Sequence, residues 1–519
     1  MTSSLAVYTG LKTKWPLAAD LTGSDIPFRF EGEIADVIVY GEIPSEINGT
    51  FYRISLDRFA PKENSVPIDG DGLISAFRIE NGHVDFKTKF VRTERYRQER
   101  RARKSLFGLY KSPWTHHPCV RAAVDSTGST NVIRWAKKLL VLEEAGNPYE
   151  VDPDTLETIR YDPFEDQIKA KAFTAHPKID PFTEELVVFG YEAKGPGSKD
   201  VVTYSLNRSG EKTAELWIEA PWCTLIHDCV ITKNWLVLLL WPYEASLERM
   251  KDGGHHWAYA PDRLACFIVV PRRAGPVVGW EKGEKSRVYN WNHCMNIHSA
   301  GAWEGEGGKI YLESTRVHGN VFPFFPSADG AATGEAKGDF VRWEIDPTQP
   351  SGTFLADPQV ILEIPSEFPR IDERFMSTEY NIVFLNVFIP QNADGSTNVF
   401  QGLNGLVMIN TGTGEQQFYY PGDNCFAQEP IFIPRSFDAP EGDGFVMSLI
   451  EDRNSQNSQL VFLDTRAFTK PIAVAVLPFR VKSQVHGNWV PAGEIGERKS
   501  LVDVPELWPI SNKGALEPL

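Results

Sequence analysis

Eleven histidines are spread along the 519-residue chain, and four of them fall at one position of a recurring pattern. The pattern is an apolar alternating strand, a short turn and a second strand, and its markers include Val151, Leu206, Val269 and Leu463. His176, His227, His293 and His486 follow those four markers by 25, 21, 24 and 23 residues. If the markers belong to equivalent sheets, equal phase lets the four side chains converge, and convergent neutral imidazoles bind a transition metal. Taken singly, a strand histidine is more often a hydrogen-bonded core residue; four at one phase favour a metal centre. His116–His117 and His255–His256 are adjacent pairs, which a strand would point to opposite faces, and His83 and His318 lie in turn-rich sequence. His298, five residues after His293, would face away from it on a single strand and is set aside. Glu367 lies 22 residues beyond Ile345, and Glu429 lies 20 beyond Ile409. Carboxylates at that phase suit acceptors for the ring N–H that each metal-bound histidine keeps. Direct ligation by one of them, in a two-histidine-one-carboxylate site, is the alternative.

The elements that must position these residues are strands. No long stretch with a period of 3.6 survives between the Gly, Pro and Asp clusters. Seven hairpins recur instead, near Ile79, Val151, Leu206, Val269, Ile345, Ile409 and Leu463, at intervals of 72, 55, 63, 76, 64 and 54 residues. Their Asn, Asp and Gly turns tolerate the left-handed backbone that tight hairpins demand. Each interval suits one four-stranded sheet plus loops, and such an array closes naturally into a propeller. The hairpins share pattern and not sequence, so a generic all-β protein is the competing fold. No linker or composition break divides the chain, and residues 1–519 are expected to form a single domain.

Composition narrows the function classes. Lys and Arg number 53 and Asp and Glu 69, a net charge of −16 that argues against a nucleic-acid partner. Six cysteines without a C-x-x-C pair make neither a disulfide framework nor a thiolate zinc site. The N-terminal residues lack the long apolar core of a signal peptide. The most apolar run, Trp235–Trp241, falls far short of the roughly 20 residues a membrane helix needs and reads as a buried strand. No integral membrane segment is expected, and a reducing cytoplasm is the default compartment. Oligomeric state is not legible.

Several motifs together resemble the carotenoid cleavage oxygenase family, across essentially the whole chain. They are GEIPSEINGTFYR (41–53), DGDG (69–72), DPDTLETI (152–159), AHPKIDPFTEEL around His176, IHDCVIT around His227, H-C-M-N at 293–296, EFPRID (367–372), QEP (428–430) and VHGNW (485–489). The resemblance implies a seven-bladed β-propeller with a helical or loop dome over an axial Fe(II). The implied ligands are His176, His227, His293 and His486, with Glu144, Glu367 and Glu429 as their outer carboxylates; Glu144 rests on the motif match alone. The implied reaction is cleavage of a carbon–carbon double bond by O2 to two carbonyl products, with no organic cofactor.

The segments LFGLYKSPWTHHP (106–118) and NVIRWAKKLLVLEEAG (131–146) resemble most closely the lignostilbene- and resveratrol-cleaving branch. There a Tyr and a Lys grip the phenolic hydroxyl of a small aromatic alkene. Tyr110 matches the Tyr, but Glu143 stands where the Lys is expected. A carboxylate can only accept, so Glu143 is a candidate acceptor for a phenol O–H, a partner for a cationic substrate, or a solvated residue. Tyr110, Glu143 and Ile68 are the candidate substrate contacts. Phe107, Trp114, Phe322, Phe324 and Phe325 are candidates for an aromatic lining, or equally for packing of the lid. Apocarotenoid cleavage is the alternative reaction. An alkene isomerohydrolase on the same iron, a metal-free scaffold and a zinc hydrolase are rival classes.

Overall fold

A computed structural model of the chain describes residues 26–502 apart from 61, 63–65, 145, 171, 274, 276, 331–336, 391–401 and 497. Seven antiparallel sheets follow one another along the chain. Blade two begins at Asn131–Trp135, blade three at Lys178–Asp180, blade four at Ile226–Ile231, blade five at Met295–Glu304 and blade six at Ser366–Ile371, each of four strands. All seven hairpins read from the sequence join the third strand of a blade to its fourth: Ile79 ends near the turn of blade one, and Leu463 ends the third strand of blade seven. The fold is the seven-bladed propeller expected.

Both ends of the ring are stitched to each other. Blade one pairs Gly49–Asp57 with the distant strand Gln484–Pro491, its innermost strand. Blade seven takes Ile38–Gly41 as its outermost strand, against Pro471–Val476. Each seam sheet thus joins a strand from one end of the chain to strands from the other.

The core lies between blades. Val237, Leu239 and Phe267 of blade four pack on Leu312, Val341 and Trp343 of blade five, and Phe51, Phe77 and Phe86 of blade one on Met447, Leu460 and Phe462 of blade seven. A blade covered on both faces needs apolar residues at successive positions, and this explains why all of Trp235–Leu240 is buried. Each such side chain contributes about 1.5–3 kcal/mol by leaving water.

Of the two forms of dome expected, helical or loop, the structure has the loop form. Among the described residues the α-helices are Glu94–Ala102, Leu247–Lys251 and Ala492–Ile495. The cover over the site is built mainly of irregular segments, including 66–68, 106–112 and 320–327, with a short hairpin of Tyr243–Ala245 and Trp257–Tyr259. Proline and glycine in the LFGLYKSPW and GNVFPFFP runs break any helical period. Among the described residues no helix is long and apolar enough to cross a membrane.

Candidate metal centre and substrate cavity

His176, His227, His298 and His486 meet on the propeller axis, with one ring nitrogen of each within 4.8 Å of all the others. The ring centroids of His176 lie 4.4 Å from His227, 5.1 Å from His298 and 4.5 Å from His486. The Nε2 atoms of His227 and His298 are 3.0 Å apart.

His293 is not in this cluster, which corrects the expectation from spacing. Its ring bonds the Tyr259 hydroxyl and the Arg263 carbonyl, both at 2.6 Å, away from the axis. The innermost strand of blade five starts only at Met295, so His293 lies before it and His298 within it. Counting along an unbroken strand also fails because the strand bulges. Between Asn296 and Ser299 the register against the neighbouring strand slips by one residue. The same slip occurs at Ile226/Cys229 beside His227, at Glu367/Arg370, and across Arg53/Ser55 opposite His486. A bulge re-aims one side chain out of the pleat; three of these four carry His227, His298 and His486, and the fourth carries Glu367 and Phe368 against His298. One sequence signal separates the two candidates: each true member follows an apolar residue (Ala175, Ile226, Ile297, Val485), whereas His293 follows Asn292.

Three imidazoles are held from behind by carboxylates, as anticipated. Glu144 takes the Nδ1–H of His227, Glu367 that of His298, and Glu429 that of His486 at 3.0 Å. Each bond fixes the tautomer that leaves Nε2 free on the axis. The carboxylates are themselves anchored: Tyr191 donates to Glu144 at 2.8 Å, Thr315 to Glu367 at 2.6 Å, and Gln484 and the Gly487 N–H to Glu429 at 2.9 and 2.8 Å. Burial alone would raise Glu429, but His486 and Arg370 outweigh it and bring its carboxyl down to about 2. Burial, aided by the neighbouring rings, holds His176 well below the ordinary histidine range. Burial also favours neutral His298, yet Glu367 outweighs it and keeps that ring above its ordinary value.

His176 Nε2 is buried with no hydrogen-bond partner, the kind of orphan that a cation resolves. Four nitrogen donors, three with carboxylates behind them, fit a divalent transition metal. Replacing Glu429 by Gln is expected to weaken metal binding about 10–100-fold, measured by competition with a chelator; unchanged affinity would remove Glu429 from the support of the centre.

Above the cluster lies a cavity of about 350 Å³ lined by Ile68, Tyr110, Leu225, Trp241, Ile297, Phe322, Phe325, Phe368 and Val485, with His227, His298 and His486 at its floor. Phe368 has a positive φ of 53° and lies against the His298 ring, centroids 5.1 Å apart. Trp241 lies against His227 at 4.7 Å and Phe322 against Trp241 at 5.4 Å. Of the expected substrate contacts, Ile68 and Tyr110 line this space. Glu143 does not: its carboxylate pairs with Lys111 Nζ at 2.8 Å. Of the expected aromatic lining, Phe322 and Phe325 belong to it; Phe324 packs behind them, and Phe107 is buried against His116. Trp114 is likewise not part of the lining. Trp241, Phe368, Leu225 and Ile297 were not anticipated, although the last three lie within two residues of a site histidine or carboxylate in sequence.

Residues 26–491 match the family model described as retinal pigment epithelial membrane protein. The chain belongs to this family of carotenoid oxygenases. It is 59% identical, over 98% of its own length and 92% of the relative's, to resveratrol cleavage oxygenase 1 of Botryotinia fuckeliana (strain B05.10). To lignostilbene-alpha,beta-dioxygenase isozyme III of Sphingomonas paucimobilis it is 34% identical, over 93% and 99% of the two chains. The crystal structure of Pseudomonas brassicacearum lignostilbene dioxygenase superposes with a TM-score of 0.86 at 35% identity, covering 93% of this chain and 100% of that one. As a carotenoid oxygenase family member the protein is an oxidoreductase, and the four-histidine centre on the propeller axis offers ligands and an adjoining cavity for its chemistry.

Proposed function

We propose that this oxygenase cleaves the exocyclic or interphenyl double bond of a hydroxylated stilbene or alkenylphenol with O2, using Fe(II) held by His176, His227, His298 and His486. The observation that carries the reading is a four-imidazole cluster opening directly onto a cavity whose lining includes Trp241, Phe322, Phe325 and Phe368, with Arg58, Glu144 and Lys482 as its charged members. The printed names of the relatives, resveratrol cleavage oxygenase and lignostilbene dioxygenase, support the substrate class.

Ferrous iron, when bound, would supply activation of O2, since four neutral ligands leave its charge uncompensated. The overall reaction balances without any other reductant: the C=C bond breaks, two C=O bonds form, and both oxygen atoms come from O2. The chain's own residues do the positioning. Trp241, Phe322, Phe325 and Phe368 present flat faces that hold a conjugated substrate in plane over the histidines. Their apolar surfaces exclude water, so a reactive species meets the alkene before solvent. Tyr110, which lines the same cavity, supplies a hydroxyl for a polar ring substituent. All six cysteines are free thiols, which suits action in a reducing compartment such as the cytoplasm.

The test is incubation of iron-loaded protein under air with 4-hydroxystilbenes, alkenylphenols and apocarotenals. Two aromatic aldehydes from a stilbene, carrying label from 18O2, are the expected result. Turnover of apocarotenals alone would move the assignment to apocarotenoid cleavage, and a shifted alkene without cleavage would make the protein an isomerase.

A further inference from the structure

The histidine cluster borders a second space besides the substrate cavity, of about 100 Å³. His298 and His486 line both spaces, His227 only the substrate cavity, and His176 only the second one. The ring whose buried Nε2 lacks a hydrogen-bond partner therefore borders the second space alone. The two linings also differ in charge. Among the described residues the second space has three carboxylates, Asp228, Glu373 and Glu429, against two cations, Lys178 and Arg370. The substrate cavity has two cations, Arg58 and Lys482, against one carboxylate, Glu144. The second space reaches the surface at Glu373, whose side chain is 56% exposed.

Arg370 lies across this space. Its guanidinium donates to Asn488 Oδ1 and Glu373 Oε1, both at 2.7 Å, and to Glu429 Oε1 at 3.4 Å. One side chain of blade six thus reaches blade seven and the ring-closing strand. Asn488 passes the contact on to Asn131 and the Val132 carbonyl of blade two, and Asn131 donates to the carbonyl of Ala175, next to His176. Arg370 does not line the substrate cavity.

We propose that the second space is the port by which a hydrated divalent metal ion reaches the four histidines, and that Arg370 bars it. This inference rests on the reading of the cluster as a divalent-metal centre. A divalent ion travels with its water, and shedding that water among apolar groups is costly. The aromatic faces of the substrate cavity, with Arg58 and Lys482 beside them, make it a poor entrance. In the second space carboxylates lead inward, from exposed Glu373 to buried Glu429 behind His486. To admit the ion, Arg370 leaves Glu429 and Asn488 and stays with Glu373, which lies far enough out to carry it aside. Its return shuts the port behind the ion. Entry and exit share one route, so Arg370 sets both rates and leaves the equilibrium between them nearly untouched.

The experiment follows Co(II) entering the metal-free full-length chain by its visible absorption, and leaving it on addition of excess chelator. Arg370→Met is expected to speed uptake and release together by about 10-fold or more, the factor that one charge-assisted hydrogen bond accounts for. Arg370→Lys, which keeps the charge and loses the fork, should fall between. Faster release with unchanged uptake would mean that Arg370 merely braces the ligands, and would overturn the port. A second pair of variants changes only one charge at each mouth. Glu373→Lys should slow uptake by about 3–10-fold at low salt, an effect that shrinks in 0.5 M NaCl. Lys482→Glu should leave uptake unchanged within about twofold. The reverse pattern, with Lys482→Glu accelerating uptake and Glu373→Lys without effect, would place the entrance in the substrate cavity and end the proposal. Absence of any Co(II) binding by the unaltered chain would instead overturn the metal centre itself, and the port with it.

Discussion

His298→Ala is expected to abolish stoichiometric metal binding and with it turnover, whereas His293→Ala is expected to leave the metal content unchanged. The first substitution removes one of four converging nitrogens and deprives Glu367, whose other side-chain hydrogen bond among the described residues is to Thr315, of its His298 partner. The loss should exceed the roughly 10–100-fold that outer carboxylates account for. The second breaks two hydrogen bonds at the foot of blade five, to Tyr259 and Arg263. Its cost is local, about 0.5–1.5 kcal/mol per bond in stability. Metal analysis of the two purified variants decides the matter; equal metal loss in both would return His293 to the centre.

Asp228→Ala is expected to lower stability by about 3–5 kcal/mol, the cost of stranding a buried charge. Asp228 sits beside His227 and pairs with Lys178 at 2.8 Å. Its other oxygen accepts from the Ser299 backbone N–H and hydroxyl, both at 2.7 Å. One carboxylate thus ties blade three to the bulges that carry His227 and His298. Removing it leaves the largely buried Lys178, 12% exposed, without its counter-charge and loosens two ligand-bearing bulges together. A second change, Lys178→Met, should recover part of the loss by removing the stranded ammonium. Denaturant midpoints of the single and double variants measure this, and an Asp228→Ala midpoint equal to the parent would remove the pair from any supporting role.

How much of this was legible in the sequence follows from what each feature depends on. The seven hairpins were legible because turn chemistry and strand alternation are local, and all seven fall at the same place in their blades. Glu367 and Glu429 were legible for the same reason. His298 was hidden by two non-local facts: where the innermost strand begins, and that it bulges between Asn296 and Ser299. A parity argument assumes an unbroken pleat, and a single inserted residue reverses its answer. Glu143 was misread as a substrate contact because its partner, Lys111, comes from another segment of the dome. The identity of a residue shows what it can bond, but only the fold shows what has already bonded it.

The strand Gln484–Pro491 has two duties, closing the ring against Gly49–Asp57 and carrying His486 to the axis. An ion gripped by His486 together with His176, His227 and His298 is therefore a rivet through the seam as well as a reagent. By linkage, whatever free energy the ion gains on binding the closed ring is withheld from the open one. In a cell short of the metal, the joint between the two ends of the chain is the first to breathe, and proteases act on what opens. The amount of this protein, and not merely the activity of each molecule, would then follow the supply of its metal.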